Sequence, residues 1–439
     1  MKKILIFGAG MVVKPMAHYL LDHGFYVTLA SRTLAKAEKV LNGYSNCKAV
    51  SWTIEALDEL DELIATHDLT VSLLPYVHHV TVAKKCIAHK KNMVTTSYVS
   101  DEMKRLDDAA KAADIIILNE LGVDPGYDHM TAMAIIDRVH EANGKIDEFY
   151  SLCGALCAPE AADNPFKYKF SWSPKGVVMA SNNSAQFLKN GKVVSLPTQD
   201  LFKNPLQIVF PEVGQMEVYP NRDSLAYIEL YGIPEVSTMY RGTFRYQNWC
   251  TALDLLKALG LTNYDELNVK GKTYAEITAH LNGLEVGSLK DAIKAKFNID
   301  DKNLGFKAIE WLGILDDEVV PFEKASTFDL VSDLMVNKMI LGETERDMVI
   351  MQHIFKITQD NGEKKTLVSR MCDFGNDDYT SISRTVALPA AIGIKLILEN
   401  KIHETGVHIP VKQSIYAPIL KALETLGITM IETEEELDL

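Results

Sequence analysis

Lys3-Ile4-Leu5-Ile6-Phe7-Gly8-Ala9-Gly10-Met11-Val12-Val13 is the stretch whose reading decides the fold. Residues 3–8 form a short apolar run that reads as a strand, and residues 11–23 carry a helical pattern. Between them, Gly8 permits a tight turn. Gly10 lets a pyrophosphate approach the free N–H groups and the positive dipole end of the helix. A glycine pair alone is as readily a structural turn. Its place, closing the first strand and opening the first helix, makes it a dinucleotide site with Gly8, Gly10, Met11 and Val12 as cofactor contacts. The third position of this fingerprint, usually Gly or Ala, is Val13, which predicts a slightly wider gap between strand and helix.

Working outward, residues 25–31, 47–52, 69–74, 92–96 and 115–119 are further apolar runs with helices between most of them. This alternation predicts an α/β fold, a Rossmann domain with a doubly wound parallel sheet over residues 1–127. The end of the second strand selects the nucleotide. A carboxylate there would hold a ribose 2′-hydroxyl, but this chain has Ala30-Ser31-Arg32-Thr33. Arg32 suits a 2′-phosphate, and Ser31 and Thr33 add hydrogen-bond donors, so NADP(H) is expected over NAD(H). Thr53, Leu74, Ser97, Val123 and Asp124 complete the expected cofactor contacts.

Beyond residue 128 the texture changes. Runs at 150–157, 176–179, 207–210 and 216–219, rich in aromatic and β-branched residues, predict a mixed or antiparallel sheet. Residues 251–311 read as mostly helical, 349–357 and 365–372 as two more strands, 385–398 and 416–426 as helices. The expected organisation is a second α/β domain over 128–250 and 312–382, a small helical subdomain over 251–311, and a C-terminal segment over 383–439. The acidic tail, 432–438, is expected to be a solvated end.

Composition narrows the function. With 47% hydrophobic and 24% charged residues, a 439-residue chain builds two to three ordinary globular domains. A net charge of −14 argues against nucleic acid as a partner. Six cysteines at irregular spacing, without a CxxC pair, read as the reduced thiols of a cytoplasmic protein. The N-terminal apolar run holds two glycines and ends at Lys14-Pro15, unlike a signal peptide. No apolar stretch is expected to reach the ~18 residues of a membrane span. His78-His79, His129 and His353 lack zinc-ligand spacing, so no metal is expected.

Two clusters fall where strand ends are expected to meet a nicotinamide: Thr95-Thr96-Ser97-Tyr98, and Asn119-Glu120-Leu121-Gly122-Val123-Asp124-Pro125-Gly126-Tyr127-Asp128-His129. With them go Leu152-Cys153-Gly154, Tyr168-Lys169-Phe170-Ser171-Trp172-Ser173, Tyr219-Pro220-Asn221-Arg222-Asp223-Ser224 and Tyr240-Arg241-Gly242-Thr243-Phe244-Arg245-Tyr246. Across nearly the whole chain, these motifs closely resemble the NADP-using, L-glutamate-forming saccharopine dehydrogenase family. Val13, and Cys157 where a proline is common, are the departures.

The resemblance implies a C-terminal segment that returns to the Rossmann domain, and a homodimer. It also implies the interconversion of saccharopine, NADP+ and water with glutamate, 2-aminoadipate 6-semialdehyde and NADPH. Saccharopine carries three carboxylates, which call for arginine forks, and Arg222, Arg241 and Arg245 lie in the matched motifs. Arg222 leads as a carboxylate clamp, with an ion pair to Asp223 as the plainer reading. Ser97, Tyr98, Asp124, Ser173 and Thr243 are the further substrate contacts, although Tyr98 and Ser173 could equally be satisfied core hydroxyls. Proton transfer points first to Asp124, then to Tyr98 and Cys153, a buried cysteine being more often inert. A carboxynorspermidine-type reductase would favour acidic rather than Arg-rich pocket residues. A non-catalytic NADP-binding protein would be expected to lose Ser97, Tyr98 and Asp124. At this length no room is expected for the partner domain of a bifunctional lysine-degrading enzyme.

Overall fold

Each apolar run of the first third becomes a strand in the computed structural model, which describes residues 1–437. Along the chain come β1 (Lys3–Phe7), α1 (Val13–Asp22), β2 (Tyr26–Ser31), α2 (Leu34–Leu41), β3 (Cys47–Ser51), α3 (Leu57–Ala65) and β4 (Leu69–Ser72). Then follow α4 (His79–Ala88), β5 (Asn92–Val94), α5 (Asp101–Lys104), α6 (Asp107–Ala112), β6 (Ile116–Leu118) and α7 (Tyr127–Glu141). The middle of the chain gives β7 (Lys145–Cys157), α8 (Pro174–Ala180), β8 (Ala185–Lys189), β9 (Lys192–Leu196), β10 (Leu206–Phe210), β11 (Gly214–Pro220), α9 (Ala226–Leu230) and β12 (Thr238–Tyr246). It continues with α10 (Trp249–Ala258), β13 (Glu266–Asn268), α11 (Tyr274–Asn282), α12 (Leu289–Phe297), α13 (Leu304–Leu312), β14 (Lys324–Ser326), α14 (Thr327–Lys338), β15 (Asp347–Thr358) and β16 (Lys364–Phe374). The last elements are α15 (Ser381–Leu398), β17 (Gly406–His408), α16 (Gln413–Glu424) and β18 (Ile431–Glu434).

The chain divides into two compact units. The first is Met1–Lys145, Gln359–Glu363 and Ser369–Thr433; the second is Ile146–Thr358, Lys364–Val368 and Glu434–Leu439. The first unit therefore runs through α7 to Lys145, past residue 127 where α7 begins. Residues 251–311 lie within the second unit.

The first unit's sheet is parallel, in the order β17-β6-β5-β4-β1-β2-β3. Ile4, Leu5, Ile6 and Phe7 are all fully buried, as a strand covered on both faces requires. On one face Leu5 and Phe7 join Leu60, Ile64, Val82 and Met93 in a common core, with Trp52 4.4 Å from the Phe7 ring. Strand order reverses between β1 and β4, and that switch point is where such sheets hold ligands.

One expectation about apolar stretches needs correcting. α15 is, by length and composition, long and apolar enough to cross a membrane. Yet 78% of it is buried inside the protein, where it packs on α1 and α16. It is a core helix.

The second unit has a mixed sheet whose path includes β10-β11-β12-β7-β15. β11 pairs β12 antiparallel, and β12 pairs β7 parallel. The β8–β9 hairpin, not read from the sequence, turns at Asn190 and Gly191, both at positive φ, as the tight twisted turn of a hairpin requires. Residues 176–179 are helical in α8, not a strand. Ser173 caps the helix by accepting from the Gly176 N–H at 3.3 Å, and Pro174 occupies its first turn, which outweighs the β-propensity of Val177 and Val178. The acidic tail is also more than a solvated end. Residues 431–434 form β18, Glu432 pairs with Arg138 at 2.6 Å, and Glu434 pairs with Lys365 at 2.7 Å. Asp438 lies outside the described residues.

Candidate active site

The phosphate cradle is built by backbone. Gly8 follows β1 with φ +105°, and a Cβ there would lie 2.9 Å from the Leu73 carbonyl oxygen, so only glycine lets the turn pass β4. Gly10 has nothing within 4 Å of where its Cβ would be, leaving open space beside the start of α1. No side chain caps that helix; the Val13 N–H makes a long 3.4 Å bond to the Gly10 carbonyl and Pro15 has no N–H, so the Lys14 N–H is the first-turn donor left to an anion. Beyond β2, Arg32 and Thr33 are exposed, and the Thr33 N–H donates to Ser31 Oγ at 3.3 Å. Met11 is exposed, while Val12 and Leu74 are half-buried. The exposed Thr53 hydroxyl, its own backbone N–H and a smaller pull from Arg32 hold Glu55 below the usual carboxylate range. An open backbone donor, an unburied guanidinium and hydroxyls after β2 fit a dinucleotide carrying a 2′-phosphate.

The loops after β5 and β6 bring Ser97, Tyr98 and Asp124 into one neighbourhood. The Tyr98 hydroxyl donates to Asp124 Oδ1 at 3.1 Å, and Tyr98 is 37% exposed. Two backbone bonds sew the loops together, from Glu120 N–H to the Ser97 carbonyl at 3.1 Å and from Leu121 N–H to the Thr95 carbonyl at 3.2 Å. The buried Glu120 carboxylate adds a third tie. Its Oε1 accepts the Val99 N–H at 2.8 Å and its Oε2 lies 2.8 Å from His129 Nε2. Gly126 closes the turn at φ +142°, where a Cβ would fall 2.3 Å from the Gly122 backbone. Val123 is buried within this turn and presents little surface.

Ser97 Oγ lies 2.9 Å from His79 Nε2, and His79 Nδ1 lies 2.8 Å from Ser72 Oγ. Burial, with a smaller contribution from His78, pushes the His79 imidazole down to about 4. His79 was passed over in the sequence because His78-His79 makes a poor metal pair. Nothing in the sequence says which of the two turns inward.

The second unit holds the arginines. Arg222 adopts φ +52°, receives the Gln186 N–H on its carbonyl at 2.9 Å, and lines a cavity of about 510 Å³ with Asn183, Gln186 and Ser195. Arg241 and Arg245 lie on β12 with Thr243 between them, and alternation places all three on one face. Cys153 of β7 sits beside Thr243 in register and is buried. The Arg241 guanidinium stacks 4.2 Å over the Tyr227 ring. Ser173 Oγ caps α8.

Arg245 is the residue the sequence underweighted. It is 3% exposed, and its guanidinium lies 5.0, 5.7 and 5.2 Å from the rings of Tyr168, Tyr219 and Trp249. Among the described residues its one hydrogen bond is from Nη1 to the Phe244 carbonyl at 2.8 Å, its Nε has no partner, and no carboxylate pairs with it. A buried charge without a counter-ion is costly, and an anion reaching it would offset that cost. The two-residue spacing of Arg241, Thr243 and Arg245 was the available signal.

A doubly wound parallel sheet with a glycine turn after β1 and a cationic, hydroxyl-bearing turn after β2 defines an NADP-binding Rossmann protein. Residues 4–118 match the saccharopine dehydrogenase NADP binding domain, and residues 122–428 match the saccharopine dehydrogenase C-terminal domain. The chain belongs to the saccharopine dehydrogenase family. It is 37% identical to saccharopine dehydrogenase [NADP(+), L-glutamate-forming] of Pyricularia oryzae, over 97% of this chain and 98% of that one. It is 38% identical to the mitochondrial alpha-aminoadipic semialdehyde synthase of Bos taurus, covering 97% of this chain but 47% of that longer protein. The solved apo structure of saccharopine dehydrogenase (L-Glu forming) from Saccharomyces cerevisiae superposes with a TM-score of 0.92 at 34% identity, covering 99% of this chain and 100% of that one.

Proposed function

We propose that the chain is a glutamate-forming saccharopine dehydrogenase, interconverting saccharopine, NADP+ and water with L-glutamate, 2-aminoadipate 6-semialdehyde and NADPH. The observation that carries this reading is Arg245: a buried guanidinium, without a carboxylate partner, on the same strand face as Arg241. A substrate with three carboxylates supplies the missing counter-charge. A polyamine precursor would not, and it would favour acidic residues in place of these arginines.

NADP, when bound, supplies the hydride acceptor or donor. The chain's own groups supply position and protons. The Tyr98 hydroxyl and the Asp124 carboxylate, already hydrogen-bonded, form the acid–base pair, with Asp124 the acceptor. Asp124 takes the proton that the amine gives up as the carbon–nitrogen bond is oxidised, and Tyr98 holds that carboxylate in place. Cys153 is a supporting group. Arg222, Arg241 and Thr243 orient the carboxylates. The six free cysteines, four of them buried, support a reducing, cytoplasmic setting. Family resemblance supports a homodimer, which light scattering of the purified protein tests.

The deciding assay mixes purified protein with saccharopine and either NADP+ or NAD+ and follows absorbance of the reduced nicotinamide. Reduction with NADP+ is expected. If saccharopine gives no reduced cofactor, and glutamate with the semialdehyde consumes none, the reading is wrong.

A further inference from the structure

Three side chains in the first unit form a line that the reaction as described does not use: Ser72 at the end of β4, His79 at the start of α4, and Ser97 beyond β5. Ser72 and His79 are buried, and Ser97 is half-buried. Distances of 2.8 Å and 2.9 Å make both links hydrogen bonds. A neutral imidazole has one N–H and one lone pair, so the line has only two possible directions. Burial and the neighbouring His78 keep the ring neutral at working pH.

Satisfaction of the buried protons chooses between them. If Nδ1 carried the proton, Ser72 Oγ would accept it. The Ser72 hydroxyl proton would then be buried with no acceptor, since among the described residues Ser72 Oγ bonds to nothing but His79. That arrangement forfeits the shorter and stronger of the bonds the two buried hydroxyls can make to the ring, 2.8 Å for Ser72 against 3.4 Å for Thr95. If Nε2 carries the proton, Ser72 donates to Nδ1 at 2.8 Å and His79 donates to Ser97 at 2.9 Å, and the hydroxyl that goes without is Thr95's, which gives up only a long 3.4 Å approach to Nε2. The Ser97 oxygen is then occupied as an acceptor from behind, and its own proton turns to the open side.

We propose that His79, locked in its Nε2–H tautomer by Ser72, is a positioning residue that commits the Ser97 hydroxyl to act as a hydrogen-bond donor to an oxygen of the bound cofactor or substrate. The inference rests on the proposed function, with Ser97 meeting cofactor or substrate as its sequence motif implies. Thr95 supports the geometry: its Oγ1 lies 3.4 Å from His79 Nε2 and accepts the Ser97 N–H at 3.4 Å, which holds the Ser97 backbone beside the ring. A Ser97 hydroxyl free to rotate would spend part of its time accepting instead of donating. A ligand oxygen would then meet a lone pair.

Two measurements test this. In the wild-type enzyme labelled with 15N-histidine, the His79 resonances at pH 7, assigned by their loss in His79→Gln, should show a protonated Nε2 and a bare Nδ1. The opposite pattern overturns the proposal whatever Ser97 does. The second is a cycle of His79→Leu, Ser97→Ala and the double variant, read as kcat/KM for saccharopine. His79→Leu should lose roughly tenfold, about one hydrogen bond's worth. Ser97→Ala should lose at least as much, and the double variant should match Ser97→Ala alone. His79→Gln, whose amide can donate from the same place, should recover most of the loss. Equal losses from His79→Leu with and without Ser97 would show that the histidine only supports the fold. If the tautomer is as stated but Ser97→Ala is silent, the reading of Ser97 fails and the positioning role fails with it.

Discussion

At the scale of single residues, what mattered was whether a side chain has a partner. Arg32 is exposed at a strand end, where a local motif suffices to read it. Arg32→Asp should raise the Kd for NADPH by about a hundredfold, two to three kcal/mol for a charge-assisted contact turned repulsive, while NADH affinity falls little. Fluorescence titration with both cofactors checks it, and equal losses would mean the guanidinium does not meet the 2′-phosphate. Arg245 could be placed in a matched motif by sequence but not recognised as unpaired. That property depends on Tyr168, Tyr219 and Trp249, far apart in the chain, closing around it. Arg245→Met should leave the unfolding free energy unchanged or raise it, because it removes an uncompensated buried charge while keeping the volume. The same change should raise the KM for saccharopine by tenfold or more. A variant that is both destabilised and fully active would show that the guanidinium serves the fold.

At the scale of elements, the loops after β5 and β6 matter because short strands end in buried ties. Glu120 spans them, from the Val99 N–H to His129, itself fully buried. Glu120→Ala should lower stability by about 2–4 kcal/mol in urea unfolding, since it orphans a half-buried backbone donor and strips one partner from a buried ring. It should also lower kcat, by letting Tyr98 and Asp124 drift apart. Glu120→Gln, which keeps the acceptor for Val99, should cost less than half as much. A loss no larger than that of a surface change would refute the tie. His79 predicts an acid limit. Its folded value of about 4 lies below the ordinary 6.5, so between those pH values the unfolded chain binds the extra proton and stability falls as pH falls. The effect is at most ~3 kcal/mol, absent above pH 6.5 and complete below pH 4. His79→Gln should flatten this part of the stability–pH curve, and an unchanged slope would show the ring is not buried neutral. The strands and first helices were legible because period and glycine position agree locally. α8 was misread because a Ser-Pro start outweighs a Val-Val pair. The β8–β9 hairpin and β17 were missed because three- to five-residue pieces carry too little pattern to read. The Tyr98–Asp124 bond needed both loops folded.

At the scale of the whole molecule, the chain's route sets what can fold alone. The first unit draws on three stretches, and its last one, Ser369–Thr433, brings α15, β17 and α16. β17 pairs β6 along Gly406↔Ile116, Val407↔Ile117 and His408↔Leu118, so without it β6 is a bare edge. α15 covers α1, whose Val13, Met16, Ala17 and Leu20 are fully buried. It also presses on the loop after β6, since a Cβ on Gly393 would meet Leu121 Cδ2 at 2.4 Å. Uncovering α1 alone forfeits roughly 1.5–3 kcal/mol for each large side chain returned to water. A few such losses equal the 5–15 kcal/mol on which an entire domain rests. Residues 1–145 alone, although they carry the glycine turn and Arg32, should therefore show no cooperative thermal unfolding and no NADPH binding. Joining residues 369–433 to them through a flexible linker should restore both, because the missing strand and helices return as one stretch. Calorimetry and NADPH fluorescence on the two fragments decide it. If residues 1–145 melt cooperatively and bind NADPH as tightly as the full chain, then α15 and β17 are additions to a domain already complete, and the resemblance to a self-contained nucleotide fold goes further than the packing of α1 allows.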